Sequence, residues 1–297
     1  MIPVVFIHNG AQEYLKCAIE SAKKLDNKIV LLGDETNKFL SDKWYDMDML
    51  AGTRYESFKK DYVHMSTNSY EFELVCFKRY FSLLSYMESA GINRCIMIDS
   101  DILTYCTYET LDCFQQYDFV ATIPYGQTEF DWCVGPQILG ITLEALKDLV
   151  RYIEDTYNNH LERLKVKDVY YKERHLKGGI CDMSLLYLWV QQTEYSCYNL
   201  LDYKEAVFDN SVQVANYDQK IRFQRNVLLG IKKLILRNDK LYVVREDNNE
   251  RVEVATLHFQ GSAKSIMVDV YYGRNKLLMC IHRYVDYGKR ILKKMRR

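Results

Sequence analysis

The tightest constraint on the fold is the stretch Cys95-Ile96-Met97-Ile98-Asp99-Ser100-Asp101-Ile102-Leu103. A short continuous apolar run such as Ile96-Met97-Ile98 reads as a strand buried on both faces, the kind that lies inside a mostly parallel sheet. Before it, residues 70–90 carry Phe72, Val75, Cys76, Tyr80, Leu83, Leu84 and Met87 at three- and four-residue steps, and Gly91-Ile92-Asn93 stops that helix. Asp99 and Asp101 then fall where the strand ends. In open α/β sheets, ligands bind outside the carboxyl ends of the strands. Two carboxylates buried there without a partner are costly. A divalent cation is a natural partner, since hard oxygen ligands suit Mg²⁺ or Mn²⁺, which keep positions for substrate phosphates. The plain alternative is a solvated Asp-x-Asp turn.

The start of the chain repeats the α/β pattern. Residues 3–7 form a strand that turns at His8-Asn9-Gly10, residues 12–25 a helix with Leu15, Ala18, Ile19 and Ala22 on one face, and residues 28–34 a second buried strand ending Gly33-Asp34. This β-α-β order opens a nucleotide-binding sheet. Neither a G-x-G-x-x-G after the first strand nor a G-x-x-x-x-G-K-[ST] occurs, which leaves out the dinucleotide fingerprint and the P-loop. Residues 37–69 lack a clear period and read as short helices and loops.

Past Asp101 the pattern gives a short helix over 105–116, strands over 118–123 and 133–141, and an amphipathic helix over 142–157. Thr142 is the N-cap of that helix, and Leu143, Leu146, Leu149, Val150 and Ile153 face inward. Residues 158–175 are charged and read as exposed. Gly178-Gly179-Ile180-Cys181-Asp182 opens a helix over 183–192. Paired glycines let a backbone approach a ligand, and helix N-termini favour anions. Asp182 is either a plain cap or a site residue. Arg79, inside the helix before the central strand, is either a solvated cation or one aimed at a diphosphate or sugar.

From residue 211 the period becomes two. Leu234-Ile235-Leu236, Leu241-Tyr242-Val243-Val244 and Val252-Glu253-Val254-Ala255 are strands, with turns at Asn238-Asp239 and Asp247-Asn248-Asn249. This small meander leads into Thr256-Leu257-His258-Phe259-Gln260-Gly261-Ser262-Ala263-Lys264. Alone, His258 and Lys264 read as a capping imidazole and a surface cation. Beside Asp99 and Asp101, His258 becomes a metal ligand, Gly261 a backbone contact to phosphate, and Lys264 a point charge for it.

The 297 residues suffice for a large α/β domain, and a formal net charge of zero argues against a nucleic-acid binder. Nine cysteines without paired spacing read as reduced, mostly buried thiols of a cytoplasmic protein. The apolar start lacks a basic n-region, so it reads as a strand rather than a signal peptide. Residues 1–265 read as one catalytic domain and 266–297 as a basic helical tail. Its end, Lys289-Arg290-Ile291-Leu292-Lys293-Lys294-Met295-Arg296-Arg297, suits either an anionic membrane surface, here the inner face of the cell membrane, or plain solvent.

In this order, the parts resemble the GT-A fold of nucleotide-sugar-dependent glycosyltransferases, a mixed, mostly parallel α/β architecture. The first strand with His8-Asn9-Gly10, the second with Gly33-Asp34, and Ile98-Asp99-Ser100-Asp101 correspond to that class's nucleotide-binding half and its Asp-x-Asp. The run from His258 to Lys264 resembles the His-x-x-Gly-x-x-Lys closing motif of glycogenin-like and bacterial lipopolysaccharide galactosyltransferase-like enzymes. Glu73-Leu74-Val75-Cys76-Phe77-Lys78-Arg79-Tyr80-Phe81 and His-Phe-Gln-Gly resemble bacterial surface-polysaccharide glycosyltransferases. The resemblance covers residues 2–264. Ser265-Ile266 replaces an aromatic residue that often follows the lysine, and residues 102–177 match no motif.

The resemblance implies Mn²⁺ or Mg²⁺ on Asp101 and His258, with Asp99 on the metal directly or through the ribose. It implies Gly261, Lys264 and Arg79 on the diphosphate, and His8, Asn9 and Asp34 toward the base and ribose. Asp182, with Gly178 and Gly179, would contact the donor sugar, or Asp182 would act as general base if the reaction inverts; the closing motif leans toward retention. The partners implied are a nucleotide-sugar and a glycan or lipid-linked acceptor. Two other readings are a sugar nucleotidyltransferase, which usually needs a glycine-rich basic loop near the N-terminus, and a non-catalytic scaffold in a polysaccharide assembly.

Overall fold

A computed structural model describes residues 1–213, 222–238, 240–274 and 276–295. In chain order the elements are β1 (Pro3–His8), α1 (Glu13–Lys23), β2 (Lys28–Gly33), β3 (Trp44–Asp46), α2 (Met47–Asp61), α3 (Tyr70–Ser89), β4 (Arg94–Ile98) and β5 (Ile102–Thr104). Next come α4 (Asp112–Gln116), β6 (Phe119–Thr122), β7 (Gly135–Thr142), α5 (Leu143–Asn159), α6 (Leu161–Glu173), α7 (Asp182–Val190) and β8 (Cys197–Asn199). The remainder holds β9 (Val207–Phe208), β10 (Arg225–Asn226), β11 (Ile231–Lys232), β12 (Leu234–Arg237), β13 (Lys240–Val244), β14 (Arg251–His258), α8 (Lys264–Tyr271) and α9 (Lys276–Met295). These elements divide between two compact units.

The first unit comprises residues 1–10, 29–98 and 109–199. Its seven-stranded sheet has the order β3-β2-β1-β4-β7-β6-β8, with β4 at the centre. The β1–β4, β2–β3 and β6–β8 pairings are parallel, and β7 runs antiparallel to both β4 and β6. The mixed, mostly parallel sheet read from the sequence is therefore the one the chain adopts. Burial explains why: Cys95, Ile96, Met97 and Ile98 are each at most 1% exposed, as a strand covered on both faces requires. Aromatic rings from three helices of this unit pack together. Phe58 lies 5.2 Å from Phe81 and 5.3 Å, edge-on, from Tyr157, joining α2, α3 and α5. Such pairs add about 0.5–1.5 kcal/mol each beyond burial.

The second unit comprises residues 11–28, 99–108 and 200–297. Its main sheet has the order β12-β13-β14-β5, all antiparallel, with β9 added parallel to β14. The meander is present as read, and Asn249 takes the left-handed conformation at one of its turns; Asp239 of the other turn lies outside the described residues. Helix α1 packs on β5 and α8, and α8 on α9.

Several local expectations are corrected. Residues 37–69 contain β3 and a long α2, kinked at Gly52, whose non-helical backbone hid the period. In α3, Tyr80, Leu83, Leu84 and Met87 are buried as read, joined by Leu74, Phe77 and Phe81, whereas Phe72 and Val75 are exposed. Helix α4 covers only residues 112–116 of the region read as one helix, after a short 3-10 turn at Tyr108–Thr110. Residues 158–175 are largely the helix α6 and not simply exposed: Leu164 and Lys167 are buried. The Lys167 ammonium donates to the Asp131 carbonyl and Ser184 Oγ, both at 3.1 Å, and burial pulls its pKa down to about 8. All nine cysteines are free thiols, but three, Cys17, Cys95 and Cys113, are buried and the rest half-buried. Thr142 does cap α5, its hydroxyl accepting from the Ala145 N–H at 3.4 Å. The tail is helical in α9; the side chains of Arg290 and of residues 292–297 lie outside the described set. Among the described residues, no helix is long and apolar enough to cross a membrane.

Candidate metal centre and its neighbours

Within the second unit, antiparallel pairing of β5 with β14 sets Ile102 opposite His258. Asp101 immediately precedes β5, and its carbonyl accepts the Phe259 N–H at 2.8 Å. That register brings together residues 157 positions apart in sequence, from Asp101 to His258. Ligand atoms of Asp99, Asp101 and His258 all lie within 4.8 Å of one another. His258 Nε2 is 3.3 Å from Asp101 Oδ1, and Lys264 Nζ is 3.0 Å from Asp101 Oδ2. The Asp101 and His258 side chains are only 6% and 7% exposed, while Lys264 is 37% exposed. His258 and Lys264 are thus neither a cap nor a solvated surface charge.

The electrostatics follow from this packing. Burial opposes charge on His258, but the hydrogen bond and negative charge of Asp101 outweigh it and push the imidazole up to about 9. Burial opposes ionisation of Asp101, yet His258 and Lys264 hold its carboxyl well below the usual range. Burial also works against the Lys264 charge, and Asp101 again reverses the sign. His258 and Lys264 thus both meet one buried carboxylate, which is the physical cause of all three shifts.

The donor set fits a divalent metal. His258 Nδ1 lies 2.8 Å from the Asn210 carbonyl, which can only accept, so Nδ1 carries the proton and Nε2 is the nitrogen that faces Asp101. A ring nitrogen tethered to a carbonyl in this way is the usual outer support of a metal-ligating histidine. Gly261 takes φ +60° at the start of the short turn Gly261–Ala263, a conformation that favours glycine.

The first unit holds the other residues singled out from the sequence. Asp34 Oδ2 accepts the Gly10 N–H at 2.6 Å, and its other oxygen accepts from Thr36. Burial raises its pKa, but the Thr36 and Gly10 bonds outweigh that and hold it below the usual value. Asn9 is exposed, and the His8 carbonyl accepts from Asn37 Nδ2 at 2.7 Å. Asn37, fully buried, also donates to the Gly10 carbonyl at 3.1 Å and accepts from Trp44 Nε1 at 3.1 Å. It ties the ends of β1 and β2 together, and a β-carbon on Gly33 would collide with it. No sequence signal distinguished Asn37 from an ordinary loop residue.

Arg79 is not on a solvated face. Its guanidinium pairs with Asp182 Oδ2, with side chains 14% and 5% exposed, and Tyr80 OH donates to the same oxygen at 3.0 Å. Asp182 is therefore more than a helix cap, although its Oδ1 does accept the Met183 N–H at 2.9 Å.

Gly178 and Gly179 accommodate the chain itself. Both have positive φ, +101° and +131°. A β-carbon on Gly179 would land on the Met65 carbonyl and the Ser66 backbone. Gly178 exchanges hydrogen bonds with Thr67, both at 2.8 Å. Gly179→Ala is expected to destabilise the protein by about 1–3 kcal/mol from backbone strain alone, with the collision in addition. Thermal denaturation measures it, and an unchanged midpoint would refute this packing role.

No protein-family profile matches the chain, and no curated protein matches it by sequence. Among solved structures, mouse xyloside xylosyltransferase 1 superposes with a TM-score of 0.43 at 14% identity, over 67% of this chain and 84% of that one. The galactosyltransferase LgtC, in complex with donor and acceptor sugar analogues, gives 0.37 at 15% identity, over 62% and 69%. A glycosyltransferase involved in glycosylation of the major capsid of PBCV-1 gives 0.42 at 8% identity, over 91% and 99%. At such identities and TM-scores the likeness assigns no function.

Proposed function

We propose that this chain is a GT-A-type, metal-dependent glycosyltransferase that moves a sugar, of the hexose class, from a nucleotide-sugar to a glycan or lipid-linked acceptor. The observation that carries this reading is the convergence of Asp99, Asp101 and His258 with Lys264 Nζ 3.0 Å from Asp101. Two carboxylates suit Mn²⁺ or Mg²⁺, and the imidazole tilts the choice toward Mn²⁺. When bound, the ion supplies Lewis-acid neutralisation of the departing nucleoside diphosphate.

The chain's own residues do the rest in this reading. Asp101 and His258 ligate, and Asp99 ligates or holds the ribose. Lys264 swings its charge from Asp101 to the diphosphate, as preorganised stabilisation, and Gly261 offers backbone to the same group. His8, Asn9 and Asp34 are the candidates for the base and ribose, on the sequence resemblance. Asp182, oriented by Arg79 and Tyr80, contacts the donor sugar or takes the acceptor proton. Residues 1–265 form the catalytic region, and the basic tail, residues 266–297, rests on the cytoplasmic face of a bacterial membrane, where surface polysaccharide is assembled. The sequence resemblance supports that cellular role.

Calorimetry with UDP, GDP, CMP and dTDP, in Mn²⁺ and in EDTA, tests the reading. Metal-dependent binding of one nucleotide supports it; no binding of any by folded protein removes the donor site. Lys264→Met is expected to weaken the Mn²⁺-dependent binding about tenfold, the worth of one charge-assisted hydrogen bond. Equal affinity in this variant would remove Lys264 from the diphosphate.

A further inference from the structure

We propose that Asp209, Asn210 and Lys232 are positioning residues that fix the His258 ring for metal ligation, an inference that rests on the metal reading above. All three are buried, at 1%, 3% and 2% exposure. They form a clamp on the last residue of β14. The Asp209 N–H donates to the Thr256 carbonyl at 3.1 Å, and the His258 N–H donates to Asp209 Oδ2 at 3.3 Å. The Asn210 carbonyl accepts from His258 Nδ1 at 2.8 Å. The Val212 N–H closes the loop on the His258 carbonyl at 2.9 Å. Residues 209–212 therefore bond the main chain of β14 at two residues and the imidazole at its far nitrogen.

Lys232 locks this segment from behind. Its ammonium pairs with Asp209 Oδ1, the side chains being 2% and 0% exposed. Its own N–H donates to the Val212 carbonyl at 2.8 Å. The pair thus grips the segment at both ends while leaving Asp209 Oδ2 for His258. A fully buried ion pair is a weak source of net stability, because desolvation offsets the attraction. What it does supply is geometry: a carboxylate held at both oxygens cannot rotate away from the His258 amide.

The segment also reaches the turn carrying the closing motif. Gln213 Nε2 donates to Ser262 Oγ at 2.6 Å. Asn210 Oδ1 is buried without a hydrogen-bond partner, while its backbone carbonyl holds the imidazole.

The test uses the full chain and Mn²⁺ as the probe. Free Mn²⁺ is measured by EPR for the unaltered protein, Asp101→Asn, Asp209→Asn and Lys232→Met, with thermal melting as a check on folding. Asp209→Asn and Lys232→Met are expected to weaken Mn²⁺ about 10–100-fold, the usual cost of lost outer support, with Lys232→Arg recovering part. Folded Asp209→Asn and Lys232→Met proteins with unaltered Mn²⁺ affinity would overturn the proposal. Should either single variant unfold, the paired Asp209→Leu, Lys232→Met protein removes both charges together and is read in the same way.

A second readout separates this clamp from the metal itself. In metal-free protein the His258 Nδ1–H, bonded to Asn210, should give a slowly exchanging imidazole NMR signal. Its loss in Asp209→Asn or Lys232→Met upholds the clamp, even if the unaltered protein binds no Mn²⁺ and the metal reading fails. Its persistence in both variants counts against the clamp, whatever the metal does.

Discussion

Asp101→Ala should abolish Mn²⁺-dependent nucleotide binding, by at least about 100-fold, since it removes a ligand rather than an outer support. Asp101 is the residue that both basic groups of the centre touch: His258 at 3.3 Å and Lys264 at 3.0 Å. Its loss also leaves a buried imidazole that can no longer hold a proton cheaply. Breaking a buried pair of this kind costs about 3–5 kcal/mol, and the cost falls toward the low end because His258 can go neutral. Lys264, more than a third exposed, adds little to that penalty. Calorimetry and a melting curve measure the two effects separately. Retained Mn²⁺-dependent binding in folded Asp101→Ala protein would remove Asp101 from the metal site.

Asp182→Ala should strongly destabilise the protein. It strands the Arg79 cation, 14% exposed, and deprives Tyr80 OH of its acceptor. A cost of about 3–5 kcal/mol is expected, a fall of roughly 10 °C in melting temperature for a chain of this size. Stability alone would not show a role on the sugar. The paired Arg79→Met, Asp182→Leu protein removes both charges and should regain most of the lost stability. If the pair contacts the donor sugar, this protein is stable but transfers nothing. Turnover that returns together with stability would reduce Asp182 to a structural residue.

The chain's composition and periodicity determined the sheet. Ile96-Met97-Ile98 is apolar on both faces, so it had to be a central strand, and β4 is the middle of seven. The meander was equally plain, because period-two alternation and Asn-Asp turns are local properties. Residues 37–69 were not legible, since the kink at Gly52 breaks the helical period of α2. Lys167 could not be read as buried either: its cost is met by the Asp131 carbonyl and Ser184, neither close in sequence.

The candidate site divides in the same way. Asp99, Asp101, His258 and Lys264 were visible as residue types after strands, because strand ends and short motifs are written in consecutive residues. That Asp99, Asp101 and His258 meet within 4.8 Å, with Lys264 Nζ 3.0 Å from Asp101, was decided by tertiary pairing, above all the β5–β14 register. The same holds for the Arg79–Asp182 pair, 103 residues apart, and for the clamp of Asp209 and Lys232 on His258. Sequence determines which groups a strand must bury and where a chain must turn. Tertiary pairing alone decides which charges share a dry pocket, because burial makes an unpaired charge too costly and so selects its partner from anywhere in the chain.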